Sequence, residues 1–216
     1  MQPEASSDSL AALSDILPVS RETGQRLAAF VGLVRKWQKA ENLIGPATLP
    51  AIWRRHVADS AQLLALFSED RRWLDLGSGG GFPGIVLACF LAETSNAAVH
   101  LVEANMRKCA FLRRCIRDLG IPAEIHQGRI EAVLADWTVS VDRVTARALA
   151  PLGRLLALAE PLIRQGIPAA FFKGADFALE IETATQSWDL DLVKHPSRID
   201  SRGVILEIRN ARRRDV

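Results

Sequence analysis

Apolar positions change their period once along the chain, close to residue 70. Before it they recur at three- and four-residue steps. Leu27, Phe30, Val31, Val34 and Trp37 make one stripe of a helix that Ser20 caps and that is expected to run to about Glu41. GPATLP, residues 45–50, breaks that helix. Thr48 is then expected to cap a further helix with Pro50 in its first turn, whose register carries Ile52, His56 and Asp59. From residue 72 short apolar runs alternate with helical ones: WLDL and then 83–91, VHLVE and then 106–119, AEIHQ and a short turn, VDRVTA and then 152–163, AAFFK and then 175–188. Such alternation predicts a mostly parallel sheet wound on both faces. The ending differs, because DLDLVKH and GVILEIRN have no helix between them and are expected to pair as an antiparallel hairpin. The organisation that follows is a single domain: a helical N-terminal extension over 1–68, an α/β core over 69–210 and a basic tail over 211–216. The first ten residues are polar and expected to fray.

Composition narrows this only a little. In 216 residues, 49% hydrophobic and 24% charged, the balance is that of an ordinary globular domain able to bury a full core. A net charge of +2 permits a polyanionic partner without demanding one. No apolar run reaches the roughly 18–20 residues of a membrane span, and the N-terminus does not read as a signal peptide, so a cytoplasmic protein without a membrane partner is expected. Cys89, Cys109 and Cys115 have no C-x-x-C spacing and read as buried thiols. The histidines, at 56, 100, 126 and 195, are scattered and show no metal-ligand spacing, so no metal is expected.

The densest chemical signal is GSGGGFPG, where four glycines fall within residues 77–81 directly after the first predicted strand. In an open α/β sheet, ligands bind at the carboxyl ends of the strands. Glycine belongs there because a side chain would hold a ligand off the backbone. Two registers compete. Gly79-x-Gly81-x-x-Gly84 fits the dinucleotide fingerprint, with Glu103 near the expected distance, and would make an NAD-binding oxidoreductase. Counted from Gly77, the first glycine after the strand, that match fails at Phe82. Asp75-x-Gly77-x-Gly79-x-Gly81 fits better and sets a carboxylate beside the ligand. A carboxylate repels pyrophosphate and suits the ammonium and sulfonium of S-adenosylmethionine. Under either reading Glu103, ending the second strand, can accept both ribose hydroxyls.

Together with LVEANMRKCAFLRR, RVTARALAPL, RKWQKAENLI, RRHVADSAQLL and FFKG, this loop resembles the bacterial 16S ribosomal RNA guanine-N7 methyltransferases, the RsmG or glucose-inhibited division protein B family, over about residues 25–210. Gln38 stands where that family usually has Asn, and Ile44 where it usually has Thr. The resemblance implies a Rossmann-like methyltransferase sheet with S-adenosylmethionine as donor. It also implies a guanine N7 in the decoding-region stem-loop as target, within 16S ribosomal RNA, the small subunit or an assembly intermediate. It carries cofactor contact to Gly77 and Phe82, places Ile130 and Glu131 beside the adenine, and puts Arg147 at the reaction centre with Lys173 of FFKG close by. Lys39, Asn42, Arg55, His56, Asp59 and Ser60 become candidates for RNA contact or cleft closure. A monomer is expected, and a small-molecule methyltransferase is the alternative within the same chemistry.

The residues themselves are consistent with methyl transfer to a ring nitrogen. Guanine N7 holds a lone pair and no proton, so it attacks without a general base, and the chain carries no G-x-S-x-G or H-E-x-x-H motif. Arg147 is expected to engage O6, a phosphate or the cofactor's carboxylate, since donation to N7 would occupy the attacking lone pair. Basic pairs such as Arg54–Arg55, Arg107–Lys108 and Arg113–Arg114 can form a phosphate-tracking rim.

Overall fold

The structure, a computed structural model, describes residues 9–214. The expected fraying of residues 1–8, and the last two residues of the basic tail, lie outside the described residues. Ser9 and Leu10, also expected to fray, instead open a 3-10 turn over Leu10–Leu13, and Leu13 is fully buried.

Seven strands form one sheet in the order β3-β2-β1-β4-β5-β7-β6: β1 (Arg72–Leu76), β2 (Ala98–Glu103), β3 (Ala123–Gln127), β4 (Arg143–Arg147), β5 (Ala169–Lys173), β6 (Trp188–Pro196) and β7 (Val204–Arg213). The first five are parallel, and β7 pairs antiparallel with both β5 and β6. Order reverses between β1 and β4, which opens a crevice above the ends of those two strands. One face packs α1 (Arg21–Trp37), α2 (Asp59–Leu66), α3 (Gly84–Leu91) and α4 (Met106–Leu119) around Trp73, Val99 and Leu101. The other packs α5 (Ile130–Ala135), α6 (Leu152–Ile163) and α7 (Phe177–Thr185) around Leu74, Leu76 and Val144. Consecutive residues of β1 therefore feed opposite cores, as a strand covered on both sides must.

The N-terminal portion departs from the periodicity in an instructive way. Ser20 caps α1 as expected, its hydroxyl accepting from Thr23 N, but the helix stops at Trp37 rather than near Glu41. Beyond it the Gln38 amide turns back on the chain: Oε1 accepts from Leu43 N and Ile44 N, and Nε2 donates to Ile44 O. Thr48 caps no helix. It sits inside a 3-10 segment, Pro46–Ala51, that runs into a π-helical stretch, Trp53–Ala58, and then α2. Such π segments inside helices recur at functional sites, and this one carries Arg55 and His56. The three cysteines are buried and free.

Glycine is required where α3 meets the sheet. A Cβ on Gly84 would lie 2.3 Å from Leu101 Cδ2 and 2.7 Å from Asp75 Oδ2, whereas one on Gly153, in the first turn of α6, meets nothing within 4 Å. Gly84→Ala is expected to destabilise the fold by about 1–3 kcal/mol, the usual cost of overpacking. Gly153→Ala should stabilise it by roughly 0.4–1 kcal/mol. Urea denaturation of both variants checks the pair, and equal effects would show that Gly84 is not packed as described.

Candidate functional site

The glycine turn after β1 is fixed by its own backbone before any ligand arrives. Gly77 N and Ser78 N both donate to Val102 O at the end of β2, and Ser78 Oγ donates to Asp75 O. Gly77, Gly79 and Gly81 all have positive φ, at 70°, 54° and 86°, which is why side chains are excluded. Only one of the three faces open space. A Cβ on Gly77 would collide with Leu149 at 2.6 Å and one on Gly81 with Ile85 at 2.7 Å, but at Gly79 the nearest atom is Gly77 O at 3.7 Å. Across the turn, Glu103 Oε2 accepts from Gly79 N at 2.9 Å while Oε1 accepts from Asn105 N at 2.7 Å. The carboxylate's remaining lone pairs face a cavity of about 720 Å³, within the usual range for small-ligand sites.

The lip of this cavity comes from the N-terminal portion. Asn42, Leu43 and Ile44 line it, held by the Gln38 amide. A Cβ on Gly80 would lie 2.7 Å from Leu43 O, so the lip and the glycine turn pack backbone to backbone. Ile130 and Glu131 line the far side, with Glu131 ion-paired to Arg154.

A second cavity of about 580 Å³ adjoins the first, and His56, Arg147 and residues 148–150 line both. Arg147, the last residue of β4, is the centre of that shared wall. Its NH1 donates to Arg55 O at 3.1 Å and to Asp59 Oδ2 at 3.2 Å, and its NH2 lies 2.5 Å from His56 Nδ1. A guanidinium has no acceptor, so Nδ1 must carry the lone pair and His56 its proton on Nε2. Nε2 then donates to Thr48 Oγ1 at 2.7 Å, and the Thr48 hydroxyl proton goes to Gly45 O at 2.8 Å. Burial, with the Arg147 and Arg55 charges beside it, lowers the His56 pKa to about 3, so the ring stays neutral and the relay keeps one direction. These contacts engage three of the five N–H groups of Arg147, leaving two without a partner among the described residues. Next along the chain, Ala148 is held at φ 53°, a conformation non-glycine residues adopt at functional turns.

The second cavity is lined by paired charges: Arg55 with Asp200 at 2.9 Å, and Lys173 with Glu180 at 2.6 Å. Lys173 Nζ also donates to Ala150 O, which ties β5 to the segment following Arg147.

Most of the residues expected at the site converge on these two cavities, and four do not. Asp75 was expected beside the ligand but is buried beneath the turn, where Oδ2 accepts from Gly84 N at 3.2 Å. A carboxylate on the penultimate residue of β1 points into the sheet face under α3. Gly81 packs on Ile85 and Phe30 and lines neither cavity. Ser60 is buried, its hydroxyl donating to His56 O at 2.6 Å, and so supports the wall from behind. Lys39 is exposed and away from both cavities. Thr48, Ala148, Asp200 and Glu180 belong to the site without having been singled out. The absence of a metal-ligand set also needs correction, because register brings His100, Glu124 and His126 together.

A family profile described as rRNA small subunit methyltransferase G matches residues 23–203. The Ribosomal RNA small subunit methyltransferase G of Brucella canis is 54% identical over 203 residues, which is 94% of this chain and 95% of the relative. That of Brucella ovis is 53% identical over the same shares. Among solved structures, a Podospora anserina methyltransferase bound to S-adenosylhomocysteine superposes with a TM-score of 0.59 at 14% identity, covering 93% of this chain and 99% of that one. A Bacillus cereus O-methyltransferase bound to S-adenosylhomocysteine gives 0.56 at 15%, covering 93% and 96%. At such identities the likeness speaks for the fold.

The burial of Asp75 has a pH signature. Loss of solvent, only partly offset by Ser78, Gly84 and the Arg147 charge, raises its pKa from 3.8 to about 7. Between those values the folded chain holds a proton that the unfolded chain has lost, so stability falls as pH rises through this window. Asp75→Asn removes that contribution. Its stability relative to wild type should improve steadily from pH 4 to pH 7 and then level off, as read by chemical denaturation. A pH-independent difference would contradict this account of Asp75.

Proposed function

Because the chain belongs to the rRNA small subunit methyltransferase G family, we infer that its two adjoining cavities bring S-adenosylmethionine and a guanine of 16S ribosomal RNA together for methyl transfer to N7. The observation that carries this reading is the shared wall at Arg147. One cavity has the glycine turn and a ribose-accepting carboxylate. The other is lined by charge pairs, and the two meet where a half-buried guanidinium keeps N–H groups to spare.

In the cofactor cavity Gly79 supplies open backbone for the methionine moiety, Glu103 takes the ribose hydroxyls, and Ile130 lies against the adenine. Gly77 and Phe82 shape the floor, Phe82 5.4 Å beneath the Arg147 guanidinium. The guanine enters the second cavity from the side of Arg55, His56, Asp59 and Lys173. Its N7 lone pair forms the new bond to the methyl carbon as the carbon–sulfur bond breaks and that electron pair stays on sulfur. No proton moves. Positive charge passes from the sulfonium to the base, beside a cavity in which Asp59, Glu180 and Asp200 are each paired with a cation. Arg147 donates to O6 or to the cofactor and leaves N7 free, so its contribution is alignment, an effect worth roughly 7–11 kcal/mol at most. The exposed Arg107 and cavity-lining Lys108 extend the approach for the RNA backbone. No helix among the described residues is long and apolar enough to cross a membrane, and we place the reaction in the cytoplasm, on a monomer.

The test is nucleoside analysis after incubation with labelled S-adenosylmethionine and three substrates: free 16S RNA, an assembly intermediate and the complete subunit. Label in 7-methylguanosine from at least one supports the reading. Label in none, or binding of NAD in place of S-adenosylhomocysteine, overturns it. Arg147→Lys is the informative variant, since Arg147→Ala would also strand the half-buried Asp59. The lysine keeps the charge beside Asp59 but lacks the planar fork. It should stay folded and bind S-adenosylhomocysteine within a few-fold of wild type. Its single-turnover rate at saturating cofactor should fall by about a hundredfold, as for loss of one oriented donor. An undiminished rate would show that only charge matters there.

A further inference from the structure

Away from the two cavities, the β2–β3 edge of the sheet gathers three side chains that the sequence separates. In their parallel register His100 faces Glu124 and Val102 faces His126. Alternate residues of a strand point the same way, so His100, Glu124 and His126 stand on one face. That face is the one α5 covers. His100 Nδ1 lies 3.0 Å from His126 Nε2 and 3.9 Å from Glu124 Oε2, and all three ligand atoms fall within 4.8 Å of one another.

We propose that His100, Glu124 and His126 form a site for a divalent transition-metal ion of the zinc class, independent of the methyl-transfer centre. Two imidazoles and a carboxylate, with a water completing the shell, are a donor set that Zn²⁺ accepts. The spacing is close to what coordination needs. Tetrahedral bonds of about 2.0–2.1 Å set neighbouring ligand atoms roughly 3.3–3.4 Å apart, so the nitrogens separate by a few tenths of an ångström and the exposed Glu124 swings in by a little more.

Two further features fit an ion there. Trp137 packs edge-on against both imidazoles, 5.4 Å from His100 and 4.9 Å from His126, and shields the cluster on one side. Its buried Nε1–H, beside the cluster, has no acceptor among the described residues. Without a metal the two rings can only share one hydrogen bond between them, and Glu124 stays at salt-bridge distance.

The experiment uses the full chain without a histidine tag, stripped by chelator and titrated with Zn²⁺ by calorimetry, with Co²⁺ absorption as the spectroscopic readout. Wild type should bind one equivalent, give the intense visible bands of a four-coordinate Co²⁺ centre, and show a raised Tm with added Zn²⁺. Two variants carry the assignment. His126→Ala should weaken Zn²⁺ binding by more than about tenfold, the loss that even an outer-shell partner gives. Glu124→Gln, at an exposed position where folding is not at stake, should lower affinity and shift the Co²⁺ bands. Methylation measured with the chelator present should be unchanged in both. No stoichiometric binding by wild type, or binding that persists unaltered in both variants, would overturn the proposal.

Discussion

The site depends on how one largely buried cation is satisfied. Taking the Arg147 guanidinium out of water at the end of β4 costs several kilocalories per mole unless its donors find partners. All three of its partner groups come from the N-terminal portion: Arg55 O, His56 Nδ1 and Asp59 Oδ2. These belong to a single helical run: the π-helical stretch presents a backbone carbonyl and a ring nitrogen, and the first residue of α2 a carboxylate, to the same guanidinium. The helical extension is thus part of the wall between the two cavities. Removing it would strip the wall between the two cavities as well as the apolar cover of α3.

The same logic governs the glycine turn. Its shape is set by backbone bonds to Val102 O and by a carboxylate buried beneath it, so the turn is formed before cofactor binds. Of the three positive-φ glycines in the turn, Gly79 alone opens toward the cavity. Gly77 and Gly81 are glycines because the protein itself, at Leu149 and at Ile85, fills the room a side chain would need. A preformed turn, a fixed histidine tautomer and paired charges around the proposed base cavity would all limit reorganisation during transfer, which is where a reaction without proton transfer gains most.

Much of the α/β core was legible. Periodicity placed AEIHQ, AAFFK and the helices over 106–119 and 152–163 at their observed bounds, because Pro and Gly punctuate those runs: Pro122 and Gly128, Pro168 and Gly174, Gly120, and Pro151 with Gly166. The N-terminal portion was not, because its geometry follows from tertiary hydrogen bonds: Gln38 ends α1 by clamping residues 43–44, and Thr48 serves His56 instead of a helix end. Glu103, Arg147 and His56 could be named from pattern and resemblance. Asp75 could not be placed, since period-2 alternation says that it faces one side of the sheet but not that α3 covers that side. His100, Glu124 and His126 carried no signal, as their meeting is a matter of strand register. That register is set by how β2 and β3 are anchored at their ends.

A crystal structure of the chain with S-adenosylhomocysteine bears most directly on the central claim, that Arg147 stands between a cofactor cavity and a base cavity. The account predicts both ribose hydroxyls on Glu103, the amino-acid end of the ligand over Gly79, and the thioether sulfur at the Arg147 wall, facing the cavity lined by Asp59 and Lys173. A sulfur turned away from that cavity, or a cofactor seated in it, would contradict the account.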